Sequence, residues 1–464
     1  MQSTYGAESI VLLVVYLAFL VAAGFGFFRK VKSDATEYLV MGRRLSLPAF
    51  VASIVSSWYG GVLGVGEYSF KQGLSNWFVF GVPYYIAAFL FAIFLARKAR
   101  DTRHYSIPDQ LELAYGKKAA IVGAGFVFLT TLPAAYILQM GELGNSIFGL
   151  SLTAGVILGA FFSIFYVYSG GLWGDVFPDI VQFFLMFIGF IAALIFLAAT
   201  YGGLDFLQSH LPATHFTWKG TKPGSYVFVW YFIALATLVE PMFYQRCFAA
   251  RSARVARNSL LISILFWVAF DFLTTFTGMY ARALMPELAD PVAAFPQLGA
   301  RFLPGAIQAL FMLGLFATAM STLDTEALIA GTTLGRDIIL RAKPGPLAHD
   351  SNVTKMARLG VIVASVLSIF IALFFKSVVD IWYVLGTVQT CALMIPLASS
   401  FSSKWRMTPR MALRGMLTAG GVALLWMMPN LVYGKGYWLG IDPIYPGLAV
   451  SLAMWCWDRM THIK

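Results

Sequence analysis

The chain is 464 residues long, 59% hydrophobic and only 12% charged, against roughly 25% charged in an ordinary soluble domain, which excludes a soluble globular protein. Its formal charge of +11 would suit a nucleic-acid binder, but the basic residues sit in short segments between apolar runs and leave no patch for DNA or RNA. Cys247, Cys391 and Cys456 are scattered singly among apolar residues, a pattern that supports neither a disulfide framework nor a zinc site.

A helix needs about 20 mostly apolar residues to cross a bilayer, and thirteen stretches meet that measure. The first, 8–28, has no Lys or Arg ahead of it and so lacks the basic leader of a cleavable signal peptide; it is expected to be retained. The second, 46–70, holds Gly60, Gly61, Gly64 and Gly66. Glycines weaken a helix interior, so the span either unwinds there, freeing carbonyls that can coordinate Na⁺, or packs closely through Gly60 and Gly64; the sequence leaves both open. The remaining runs are 74–96, 118–146, 151–168, 175–200, 225–245, 257–281, 304–333, 356–376, 379–401, 408–428 and 442–458. All thirteen form one membrane domain with no appended soluble part.

Taking the loops alternately from an outside N-terminus, only Lys71, Lys219, Lys222, Arg282, Arg301, Lys376 and Lys435 fall outside, and the other 26 of the 33 basic residues fall inside. Cytoplasmic loops retain Lys and Arg, so the N-terminus is expected outside and the C-terminus in the cytoplasm, in a plasma (inner) membrane.

Ionisable groups at membrane depth are expensive and usually functional. Glu142, Asp179, Glu240, Asp271, Asp324 and Glu326 fall within spans, while no Lys or Arg lies near the middle of one. Unpaired carboxylates imply a bound cation or a proton, although Glu240 and Asp271 also suit a carboxyl bonded to backbone near a helix end. The ninth span is richest in polar groups. Thr318, Ser321, Thr322 and Thr325 share a face at i+3 and i+4 spacing with Asp324 at its edge, a set of hard oxygen donors suited to alkali or alkaline-earth ions. A competing enzyme reading, Mg²⁺ on Asp175 and Asp179 against a diphosphate, lacks a second matching aspartate motif; Asp324-Thr325-Glu326 is unlike one. Transport is the expected activity.

Five motifs then resemble the sodium:solute symporter family along the whole chain: Glu37-Tyr38-Leu39 with Gly42-Arg43-Arg44-Leu45; Tyr105-Ser106-Ile107-Pro108; Tyr168-Ser169-Gly170-Gly171-Leu172 followed by Asp179 and Gln182; Tyr244-Gln245-Arg246 with Ala249-Ala250-Arg251-Ser252; and Met320-Ser321-Thr322-Leu323. The resemblance implies an all-α, leucine-transporter-type inverted-repeat fold. The first repeat would cover 46–200 and the second 225–401, with 8–28 and 408–458 as extra helices. It implies alternating access and Na⁺-driven uptake of a small polar solute, with the lipid bilayer and Na⁺ as partners and no obligate protein partner.

The family's sodium site falls on Trp58, Gly61, Thr318, Ser321 and Thr322. A second ion or proton site falls on Asp179, Asp324 and Thr325, giving one or two Na⁺. The chain departs from the family in carrying Asp324 where Ser is usual, and Gly60 where some members have Asp or Asn. The solute is expected against Gly60, Tyr84, Tyr85, Gln139, Ala236, Gln389 and Thr390. The absence of an intramembrane Arg or Lys offers no obvious salt bridge for a carboxylate, yet amino acids stay possible. A proton-coupled carrier and a uniporter of the same fold are the alternatives.

Overall fold

The computed structural model describes residues 6–31, 34–343, 350–374, 378–434 and 436–462; Lys32, Lys376, Lys435 and Lys464, used above in counting charge, lie outside them. Seventeen principal helices follow in chain order: α1 (Ala7–Lys30), α2 (Leu47–Trp58), α3 (Val62–Gln72), α4 (Val82–Phe94), α5 (Ile107–Tyr115), α6 (Lys117–Thr130), α7 (Ala134–Phe148), α8 (Leu152–Gly170), α9 (Leu172–Tyr201), α10 (Gly224–Ile233), α11 (Pro241–Ala249), α12 (Ala253–Leu284), α13 (Gly305–Thr332), α14 (Asp350–Phe374), α15 (Val378–Ser400), α16 (Pro409–Tyr433) and α17 (Ile444–His462).

Ten helical segments among the described residues are long and apolar enough to cross a membrane, and the bent pair α2–α3 makes eleven. The expected count of thirteen is not reached by that measure. Of the remaining runs, α17 carries Asp458 and Arg459 in its last turns. Large apolar side chains such as Phe89, Phe161, Ile195, Leu265 and Phe370 are exposed on the outside, the surface that a bilayer covers.

The core is built around α13, whose side chains are buried without a break from Phe311 to Thr332. A helix apolar on all sides belongs in the interior, and here it carries the hydroxyl stripe and Asp324 into the centre of the bundle. It packs lengthwise on α9. A Cβ at Gly189 would meet the Leu310 carbonyl oxygen at 2.5 Å, so small residues set the spacing of the two backbones.

Two spans are broken. The first bends by 59° between α2 and α3, at Tyr59-Gly60-Gly61, so the span does unwind at the glycine cluster. The second passes from α10 through a 3-10 stretch, Ala234–Val239, to an extended Glu240 (φ −68°, ψ 115°) before α11 starts at Pro241. The residue before a proline is disfavoured in the α conformation, and Pro241 has no N–H to continue the ladder.

On the face bearing most basic residues, the strand-like entry to α2 is laced to the exit of α11. Leu45 and Ala250 form a parallel bridge, with Leu45 N–H donating to the Ala249 carbonyl and Arg251 N–H to that of Leu45, both at 3.0 Å. Arg43 Nη1 adds a bond to the Phe248 carbonyl at 3.0 Å.

A clasp closes the same face, where Asp109 on α5 receives Arg336 at 2.9 Å and Arg341 at 2.6 Å. Burial pushes the Asp109 carboxyl up, but the two guanidiniums beside it outweigh that and hold it down at about 2. A carboxyl so depressed contributes stability that is present above its unfolded value of about 4 and is lost as pH falls through about 2. Wild type is therefore expected to unfold at higher temperature than Asp109→Asn at neutral pH. Thermal unfolding of both in detergent should show that gap holding to about pH 5 and closing in stronger acid; a constant gap down to pH 2 would remove the ionised clasp as its cause.

Candidate functional site

The break between α2 and α3 leaves backbone groups without helical partners, and a glutamine side chain serves two of them. Gln139 on α7 donates from Nε2 to the Gly60 carbonyl at 2.9 Å and accepts from Leu63 N–H at 3.0 Å. Its amide is thereby consumed in bracing the break, which corrects its expected place against the solute. The second break is braced likewise: Gln389 on α15 donates to the Val239 carbonyl at 3.0 Å.

The hydroxyl stripe of α13 faces the first break. Thr322 Oγ1 donates to the Ser57 carbonyl at 2.6 Å, and Ser321 Oγ lies 3.2 Å from Ser57 Oγ while donating to Asp179 Oδ1 at 2.6 Å. Thr318 bonds back to the Gly314 carbonyl at 2.6 Å, so its hydroxyl is spent on its own helix. A Cβ at Gly60 would stand 2.0 Å from Thr322 Oγ1, and one at Gly61 1.5 Å from the Trp382 ring. Only glycine allows this approach. Gly60 is thus a packing position rather than part of the cavity wall. The Ser57 carbonyl at the end of α2 and two hydroxyls meet here beside the unwound turn, the hard-oxygen chemistry that fits Na⁺.

The expected second site is organised differently. Arg246 on α11, assigned to a loop by its sequence position, is fully buried and ion-paired to Asp175 at 2.8 Å and Asp179 at 3.3 Å. It also donates to Thr325 Oγ1 at 2.8 Å and Ser53 Oγ at 3.1 Å, while Thr325 donates to Asp175 at 2.8 Å. The inference that no basic residue enters the spans is therefore wrong for Arg246. Nor is the Asp175/Asp179 pair open to Mg²⁺, since a guanidinium lies against both. Asp324 stands about 100° around the helix from Thr325 and accepts instead from Ser163 and Tyr166 of α8; it shares no hydrogen-bond partner with Asp179.

Between the two breaks lies a cavity of about 170 Å³. Of the expected solute residues, Tyr84, Tyr85, Ala236 and Gln389 line it, whereas Thr390 points back to the Gly386 carbonyl at 2.7 Å. The sequence reading missed Tyr59, Tyr136, Trp267 and Trp382 in its wall. Aromatic residues are common throughout this chain, so composition gave no reason to choose these.

Three of the intramembrane carboxylates line the cavity: Glu240, Asp271 and Glu326. Asp271 lies in the middle of α12 and accepts from the Tyr59 and Tyr85 hydroxyls, not from backbone near a helix end. Glu240 does stand at a helix start, beside the Met242 amide, but also reaches the cavity wall. Glu142 on α7 is half-buried and outside this wall.

Comparison with known proteins agrees with this architecture. The sodium/pantothenate symporter of Haemophilus influenzae is 24% identical over 380 residues, covering 78% of each chain. The sodium/proline symporter 2 of Staphylococcus saprophyticus is 22% identical over 457 residues, covering 91% of this chain and 86% of the relative. The structure of a Na⁺-coupled sialic acid symporter in a substrate-bound outward-open state superposes with a TM-score of 0.81 at 15% identity, over 98% of this chain and 97% of that one, which shows a shared all-helical fold of the leucine-transporter type. The sodium:solute symporter profile matches residues 38–419. The chain is a multi-pass membrane transporter that couples a small solute to Na⁺, and it belongs to the sodium:solute symporter family.

Proposed function

We propose that a single Na⁺ binds at the first break, between the carbonyls of Trp58 and Gly61 and that of Thr318, with the hydroxyls of Ser321 and Thr322, and drives solute uptake from the adjoining cavity. The observation that carries this reading is the placement of Ser321 and Thr322 against the end of α2, with Thr322 bonded to the Ser57 carbonyl and packed on Gly60. The second position expected around Asp179 and Thr325 is filled by the Arg246 guanidinium, a resident cation where a second ion would otherwise sit. Residues 46–200 and 225–401 form the two repeats, each opening with a broken helix and each break braced by a glutamine.

The face carrying Asp109, Arg336, Arg341 and the Leu45–Ala250 bridge is cytoplasmic in this reading, with the N-terminus outside and the protein in the plasma membrane. The cavity takes a small polar solute, as the tyrosine hydroxyls, Gln389 and carboxylates of its wall suggest. The activity is transport rather than catalysis. In proteoliposomes, uptake of a labelled solute panel should require an inward Na⁺ gradient. Ser321→Ala and Thr322→Ala should each raise the Na⁺ concentration for half-maximal uptake by about tenfold, the worth of one charge-assisted bond. Unchanged Na⁺ dependence in both variants would exclude this site.

A further inference from the structure

The cavity wall has a one-sided charge. Glu240, Asp271 and Glu326 line it, and among the described residues no Lys, Arg or His does. Asp271 is held by two tyrosine hydroxyls. Glu326 is not held in that way: the residue is 6% exposed, yet its Oε2 has no hydrogen-bond partner. A buried carboxylate oxygen left in this state is costly unless something arrives to pair with it. The nearest basic side chain of the adjoining helix break, Arg246, is committed to Asp175, Asp179 and Thr325.

The rest of the wall suits one kind of visitor. Trp58, Tyr84, Tyr136 and Trp382 face the same space, and Tyr136 lies within electrostatic reach of both Glu240 and Glu326. Aromatic faces attract cations through the ring quadrupole, most strongly when the site is desolvated. Carboxylates plus aromatic faces complement an organic ammonium or guanidinium group, and repel a solute whose only charge is negative.

We propose that the transported solute is a small organic cation whose charged nitrogen pairs with Glu326 and Glu240 against the aromatic wall. This deepens the transport reading and rests on it: the cavity between the two helix breaks must be the solute site.

The test uses full-length protein in detergent, with thermal unfolding followed with and without Na⁺, and butylammonium, butanol and butyrate as size-matched probes. In saturating Na⁺, butylammonium is expected to raise the unfolding temperature, with butanol weaker and butyrate without effect. Glu326→Gln should weaken the butylammonium response by at least about tenfold while keeping the shift caused by Na⁺ alone, which shows that the variant is folded. Glu326→Asp should restore part of the response. A response to butyrate or butanol as strong as to butylammonium, no response to butylammonium at about ten times a millimolar Kd, or a Glu326→Gln variant that responds like wild type each overturns the proposal. Loss of the Na⁺ shift in wild type is a separate result, and would count against the sodium site instead.

Discussion

Replacing Arg246 by methionine is expected to destabilise the protein by about 3–5 kcal/mol, the cost of leaving a buried charge without its partner. The side chain is completely buried, as are those of Asp175 and Asp179 that it binds at 2.8 and 3.3 Å. Removing the guanidinium leaves two carboxylates in low dielectric with only hydroxyl donors. Arg246→Lys is expected to recover little, because an ammonium cannot spread donors over Asp175, Asp179, Thr325 and Ser53 as the planar fork does. The double variant Arg246→Met/Asp175→Asn should regain much of the loss by removing one of the orphaned charges. A second readout concerns stoichiometry. With the resident cation gone, high Na⁺ should stabilise Arg246→Gln more steeply than wild type, with a Hill coefficient rising from about one toward two. A wild-type coefficient near two would show that the second ion binds beside Arg246 after all.

Gly60→Ala is expected to abolish Na⁺-dependent uptake with little loss of expression. The new methyl would sit 2.0 Å from Thr322 Oγ1 and 2.2 Å from its Cβ, so the turn and α13 must part by more than an ångström. That motion separates Trp58 and Gly61 from Thr322, groups assigned to the ion, and breaks the bond from Thr322 to the Ser57 carbonyl. Overpacking of this kind costs about 1–3 kcal/mol, which an otherwise large core tolerates, so the expected signature is lost Na⁺ stabilisation in a folded protein. Gly61→Ala meets the Trp382 ring at 1.5 Å and should affect the solute side as well. If Gly60→Ala transports with wild-type Na⁺ affinity, the approach of Thr322 to the turn is not needed for coupling.

Much of this was visible in the chain before its fold. Apolar runs gave the long helices, the Gly60–Gly66 cluster marked the first break, and i+3/i+4 spacing put Ser321, Thr322 and Thr325 on one face. Arg246 was not legible for a definite reason. It ends an apolar run and is followed by Arg251, Arg254 and Arg257, so charge counting placed it in the loop, while its carboxylate partners lie 67 and 71 residues away. The second break has no glycine. Its signal is Pro241 within an apolar stretch, which the sequence did contain. The family resemblance places Gln139 against the solute, yet backbone freed by a broken helix has an equal claim on a buried amide.

The stitch between Leu45 and Ala250 has a mechanical consequence. It ties the segment entering α2 to the segment leaving α11, so the two half-helices on that face are joined as one lever would be. One of them ends at the Ser57 carbonyl beside the ion's hydroxyls, and the other begins at Glu240 in the cavity wall. A carrier whose half-helices swung independently could let an ion slip through without cargo. Here two backbone hydrogen bonds and the Arg43 anchor join the two segments, so moving either half-helix alone would break them.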